Sequence, residues 1–169
     1  MPLELTADCA RCAGLCCVAY AFDRGESFAF DKAAGERCRH LNRGCRCLIH
    51  HRLAAEGMSG CAHYDCHGAG QRATAMFADR DETPQLTRER LDVFLVLART
   101  HELLVLLRAA MSLPLTPELE AERAALEARL FSITRRSNLD AIEPEIATLF
   151  TNVRFIAPLR NGRVALASA

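Results

Sequence analysis

The residues best equipped for chemistry are the cysteines. There are nine, and all lie between Cys9 and Cys66. They form three groups: Cys9, Cys12, Cys16 and Cys17, then Cys38, Cys45 and Cys47, then Cys61 and Cys66. Cys-x2-Cys sets two sulfurs on one tight turn, which is how zinc sites and iron–sulfur sites both begin. The other ligands must come from elsewhere in the chain, and Cys38, Cys47, Cys61 and Cys66 are the candidates. Eight sulfurs complete two four-thiolate sites. The adjacent Cys16-Cys17 suits that idea, because neighbouring side chains point apart in extended backbone and serve two nearby metals more easily than one. A tetrahedral sphere of four sulfurs fits zinc and iron–sulfur equally. Buried, unliganded thiols are the bland alternative, but they do not come at this density or in Cys-x2-Cys spacing. A disulfide framework would leave one of nine thiols over.

Other side chains compete for roles at such a site. His40, His50, His51, His63 and His67 lie among the cysteines. They are candidates for mixed ligation or for donors to bound thiolates, with His63 and His67 foremost. Simple proximity in a short segment is the alternative. Cys45 follows Arg43 and precedes Arg46, a setting that would activate a thiol, but a spare loop cysteine is the preferred reading. Arg37, Arg39, Arg43, Arg46 and Arg52 have little aromatic interleaving for base stacking, so counter-charge to bound thiolates is preferred over RNA or phosphate binding. His101, in an apolar stretch, reads as a polar-face or core histidine.

Positioning these groups falls to elements with recognisable patterns. Val18, Tyr20 and Phe22, a polar loop from Asp23 to Ser27, then Phe28 and Phe30 predict a short β-hairpin. Leu48 to Glu56 predicts a short helix ended by Gly57. Gln71 to Ala78 predicts a helical turn or two. The segment from Asp79 to Pro84 is charged, ends in Thr-Pro, and is the preferred linker. Three helices follow. Leu86 to Met111 is apolar on nearly every face from Val93 onward, which places it centrally or at a subunit interface. Thr116-Pro117-Glu118 opens the second, with an N-cap, a first-turn proline and an acid facing the dipole; Leu119, Leu126, Leu130 and Ile133 mark its apolar face. The third starts at about Leu139, with Ile142, Ile146, Leu149, Val153 and Ile156 at helical steps.

The expected fold class is therefore mainly α. A small, loop-rich cysteine module with a short hairpin occupies residues 1–82, and a helical packing or dimerisation domain occupies residues 83–169. The 169 residues carry 21 basic and 21 acidic side chains, and the charges balance in each half. That argues against nucleic acid or an anionic membrane as a partner. The start of the chain has no basic or apolar leader, and the most apolar stretch is interrupted by Arg99-Thr100-His101-Glu102, so a cytoplasmic protein is expected. In that compartment clustered cysteines favour metal over disulfides.

The cysteine pattern resembles a known family. Cys9-x2-Cys12-x3-Cys16-Cys17, Cys38-x2-Leu41, Cys47-x-Ile49-His50-x-Arg52 and Cys61-x2-Tyr64-x-Cys66 resemble the YkgJ-type cysteine-cluster (CxxCxxCC) family, regarded as zinc- or iron-chelating. The cluster is also similar to the one in flagellin lysine-N-methylases, held to bind iron–sulfur. The motifs Gly14-Leu15-Cys16-Cys17-Val18-Ala19, Cys38-x-His40-Leu41 and Tyr64-Asp65-Cys66-x-Gly68-Ala69-Gly70-Gln71 look closest to the amino-terminal module of actinobacterial pentapeptide-repeat proteins, although no repeat follows here. The first motif is one residue longer than CxxCxxCC, His50 stands where the wider family has Tyr, and Leu53 replaces its Pro. The resemblance covers residues 9–71. It implies that Cys9, Cys12, Cys16, Cys17, Cys38, Cys47, Cys61 and Cys66 bind metal and that Cys45 is the spare thiol. The expected function is metal binding, as zinc or an iron–sulfur cluster, with a redox or electron-transfer role in the second case. The alternatives are a structural-zinc interaction module, with a protein partner or a second copy held by the C-terminal helices, and a metalloenzyme whose reaction no residue set specifies.

Overall fold

The structure, a computed structural model, describes residues 3–134. It is mainly helical. Contacts divide the chain between Ala98 and Arg99, so the cysteine unit runs past the compositional linker at 79–84 and takes in the first part of a long helix. The third predicted helix, from Leu139 to Ile156, lies outside the described residues.

The cysteine unit is a series of short turns. Asp8 opens a 3-10 turn over Cys9–Arg11: its carboxylate accepts the Ala10 N–H at 2.9 Å and pairs with Arg11 at 2.7 Å. Gly14 follows with φ at +69°, and helix α1 forms over Cys16–Ala19. This helix takes up Val18, the first residue of the expected hairpin. What remains of the hairpin is one antiparallel bridge, Phe22 to Lys32, with both backbone bonds made at 3.0 and 2.8 Å. Aromatic packing inside the loop substitutes for a ladder. Phe22 stacks on Phe28 at 4.4 Å between centroids and meets Phe30 edge-on at 5.3 Å.

A second bridge, Leu41 to Cys47, brackets the Asn42 turn, where the Asn42 side chain accepts the Arg46 N–H at 2.9 Å. The predicted helix after Leu48 is a 3-10 turn, His50–Arg52, followed by turns that end at Gly57 with φ at +70°. Helix α2 spans Ser59–His63 and helix α3 spans Ala69–Met76. Helix α3 fastens the start of the unit. Buried Gln71 accepts the Asp8 N–H at 3.0 Å and donates to the Thr6 carbonyl at 2.9 Å, and Thr74 accepts the Ala13 N–H at 2.9 Å. Gly68, just before it, has φ at +83°, and a Cβ there would stand 2.4 Å from the Glu4 carbonyl oxygen, so only glycine fits.

Helix α4 spans Pro84–Ala109 and so begins inside the expected linker, before the expected start at Leu86, with Thr83 accepting the Leu86 N–H at 3.0 Å and proline in the first position. Within the cysteine unit its Leu86, Phe94 and Leu97 are fully buried, and Tyr20 lies edge-on to Phe94 at 5.9 Å. In the second unit Thr100, His101, Leu103, Leu104 and Leu107 of the same helix are buried, which places His101 in the core and not on a polar face. A 3-10 turn over Ala110–Ser112 leads to helix α5, Pro117–Thr134, which buries Leu130 and Ile133. Arg123 is buried with them; it pairs with Glu120 at 2.8 Å and Glu127 at 2.7 Å. Among the described residues no helix is long and apolar enough to cross a membrane.

Phe94 is the largest fully buried side chain of the cysteine unit. Phe94→Ala is therefore expected to lower stability by about 3–5 kcal/mol in chemical denaturation, whereas exposed Arg88→Ala should leave the midpoint unchanged. Equal, small effects from both would show that α4 is not part of this core.

Candidate metal centre

Four short segments carry the cysteines to one place. The turn at Cys9, helix α1, the bracketed Asn42 turn and the stretch around α2 all contribute walls to a cavity of about 560 Å³, and all nine cysteines line it. None is in a disulfide. Among the described residues no three Cys, His, Asp or Glu side chains are gathered closely enough to hold a metal as they stand. The sulfurs are neighbours around a cavity, not a sphere drawn onto one point.

Their neighbourhoods differ. The Cys12 sulfur lies 2.7 Å, and the Cys66 sulfur 3.6 Å, from where a Cβ on Gly70 would stand. Glycine at the second position of α3 is what lets the Cys12 sulfur approach the helix backbone this closely; the Cys66 sulfur would be in ordinary contact with a Cβ there. Partial loss of water raises the Cys9 thiol above its ordinary value, and Cys12, Cys66, Cys17 and Asp8 add to the rise. Burial likewise raises Cys12, opposed by the Leu15 and Gly14 N–H groups that donate to its sulfur, while Cys66 pushes the same way as burial. The positive φ at Gly14 belongs to the turn that aims these donors.

On the other side, Cys38 is buried in an apolar cluster with Phe30, Leu41, Ile49 and Met58, and Cys17, Cys47 and Cys61 pack against it. The Cys38 N–H donates to the Cys17 carbonyl at 3.0 Å. Burial raises Cys47, opposed by the Ile49 N–H, with Cys17 and Cys38 adding to the rise. Cys61 is pushed up to about 11, first by burial and then by Cys17, Cys38 and Cys47, with Lys32 opposing.

Cys16 and Cys17 join the two neighbourhoods. Their sulfurs share a hydrogen bond that keeps the proton on Cys16, pushing its thiol far up, and draws Cys17 below its ordinary value. Burial works against the lowering of Cys17, and the charges of Lys32 and Arg37 support it. Both residues sit in a helical turn, not in the extended backbone expected from sequence.

Lys32 is the feature that sequence reasoning missed. It is the sole lysine of the chain, and it is 4% exposed. Its ammonium donates to the carbonyls of Val18, Ala33 and Glu36 at 3.2, 3.0 and 2.8 Å. A buried ammonium bonded only to neutral carbonyls is a fixed positive charge beside the thiols. Its singularity among 20 arginines was the available signal. The arginines do other work: Arg39 stacks on Phe30 at 3.8 Å, Arg46 donates to the Cys9 and Cys12 carbonyls at 3.0 Å each, and Arg52 pairs with Glu56 at 3.0 Å. Arg37 also donates to the Asn42 carbonyl.

The histidines divide against expectation. His40 and His50 line the cavity, while His63 Nδ1 is engaged with the Ser59 carbonyl at 2.8 Å. His67 stands 3.7 Å from Asp65. Cys45 lines the cavity from a left-handed turn with φ at +58°. Tyr64 and Tyr20 close one side through a hydroxyl bond of 3.0 Å, and burial followed by that bond raises Tyr64.

This chain is similar to a bacterial protein of unassigned function. It is 35% identical over 137 residues to the uncharacterized protein YybG of Bacillus subtilis (strain 168), a match covering 79% of this chain and 49% of that protein. The chain thus spans about half the length of the curated relative it matches. The aligned stretch is longer than the cysteine unit, so the similarity is not confined to it. No family model matches the chain, and no solved structure matches it.

The electrostatic asymmetry has a measurable consequence. A lowered value means that Cys17 is a thiolate at lower pH than an ordinary cysteine, and a raised value means that Cys61 becomes one only at higher pH. In reduced, metal-free protein, alkylation followed by peptide mass spectrometry should show Cys17 reacting first as pH rises and Cys61 with a midpoint near 11. Lys32→Gln should move the Cys17 profile upward. The reverse order of the two cysteines would contradict the arrangement.

Proposed function

We propose that this is a metal-binding protein that holds zinc or an iron–sulfur cluster through the thiolates of Cys9, Cys12, Cys16, Cys17, Cys38, Cys47, Cys61 and Cys66. The observation that carries the reading is the convergence of these cysteines, from four separate segments, on one cavity. Ionising Cys9, Cys12, Cys47 or Cys61 is opposed by burial and by neighbouring thiols, and a bound cation reverses that opposition. Backbone N–H groups already point at the Cys12 and Cys47 sulfurs, a donor arrangement that favours the thiolate a metal requires. Lys32 supplies further positive charge from a buried position. The similarity of the motifs to the YkgJ-type cysteine-cluster family supports the same chemistry. When bound, zinc would cross-link the four segments into a rigid platform, and an iron–sulfur cluster would add electron transfer or redox sensing. A reduced cytoplasmic setting suits either, because the thiols must stay unoxidised.

The test is the composition of full-length protein purified without oxygen. Zinc with no colour, or iron with acid-labile sulfide and a brown colour, is the expected result and decides between the two. Cys12→Ser should reduce the bound metal and Cys45→Ser should not. Absence of both metals with freely titrating thiols would refute the reading.

A further inference from the structure

We propose that the eight cysteines form two separate four-thiolate sites, Cys9, Cys12, Cys16 and Cys66 in one and Cys17, Cys38, Cys47 and Cys61 in the other, joined through the Cys16–Cys17 peptide bond. The proposal rests on the metal-binding reading above and goes further, because it assigns each ligand and fixes the number of sites at two.

Three observations on packing carry the division. First, Cys17, Cys38, Cys47 and Cys61 share one apolar cluster built on Phe30, Leu41, Ile49 and Met58, and the other four cysteines are absent from it. Second, Cys12 and Cys66, 54 positions apart in sequence, bring their sulfurs to the same spot on α3 above Gly70. Cys9 belongs with them, because its turn packs against α3 and Arg46 clamps the Cys9 and Cys12 carbonyls together. Third, Cys16 and Cys17 are consecutive on a helical turn. Successive helical side chains diverge by about 100°, so the pair faces two directions. Cys17 faces the apolar cluster with Cys38, Cys47 and Cys61, and Cys16 is outside it.

The two sites differ in their surroundings. The first has an exposed member, Cys9, and leans on α3 through Gly70. The second is anchored on buried Cys38, with the Lys32 ammonium beside it. Gly70 therefore gives a selective handle. Alanine is the better residue for a helix interior, so Gly70→Ala keeps α3 and all eight thiols, yet its Cβ would lie 2.7 Å from the Cys12 sulfur.

The experiment titrates reduced, metal-free full-length protein with Co²⁺ under anaerobic conditions and follows sulfur-to-cobalt charge-transfer absorption. Wild type should bind two equivalents. Gly70→Ala and Cys9→Ser should each retain one, as should Cys61→Ser. The double variant Cys9→Ser/Cys66→Ser removes two ligands of the same site and should still bind one equivalent. Cys9→Ser/Cys61→Ser removes one ligand from each and should bind none. The equivalent retained by Cys9→Ser/Cys66→Ser is itself the control for folding. A single equivalent in wild type, or loss of both from Gly70→Ala, or retention of both by it, would overturn the division while leaving metal binding in place. If wild type binds no cobalt, the metal-binding reading falls and the division falls with it.

Discussion

The constraint on which the rest of this structure depends is the crowding of sulfurs around one cavity. A thiol with buried walls and other thiols for neighbours is hard to ionise, and Cys9, Cys12, Cys47 and Cys61 are all held above the ordinary value for this reason. Cys17, which accepts a hydrogen bond from the Cys16 thiol and sits near Lys32 and Arg37, is drawn the other way. Converting such crowded thiols to thiolates carries an electrostatic cost that a bound cation would remove. The surrounding fold can be understood as the means of enforcing that crowding.

The means are local, because the unit has little regular structure to work with. Single antiparallel bridges at Phe22–Lys32 and Leu41–Cys47 replace a sheet. Aromatic rings fill the space between them, and buried Gln71 ties the first segment to α3 with two bonds. Helix α4 contributes Leu86, Phe94 and Leu97, which enlarge the small apolar core that the cysteine-rich segment forms by itself. That borrowing explains why the contact boundary falls inside α4 and not at the charged stretch before it.

Much of this was legible in the sequence. The N-cap and proline at Thr116-Pro117 mark the start of α5, because capping is a local effect; Thr83-Pro84, which reads as the end of a linker, opens α4 in the same way. The apolar face of Leu119, Leu126, Leu130 and Ile133 follows from periodicity, and its last two members are fully buried. The hairpin was not legible. Alternation from Val18 to Phe30 reads as strand, but Cys16–Ala19 closes a helical turn and the phenylalanines stack on one another instead of extending a ladder. Lys32 stands out in the sequence as the sole lysine, but nothing in its neighbours says that its ammonium turns inward onto three carbonyls. The approach of Cys12 and Cys66 to Gly70 was not legible either, because it depends on a contact between distant segments.

The central claim is that cysteine sulfur, and not histidine or carboxylate, holds the metal. X-ray absorption at the edge of the metal carried by full-length protein tests it most directly. The account predicts a shell of four sulfur neighbours per metal at about 2.3 Å for zinc, with no nitrogen or oxygen in that shell. A shell dominated by nitrogen or oxygen would place the metal on the histidines or acids, and would contradict it.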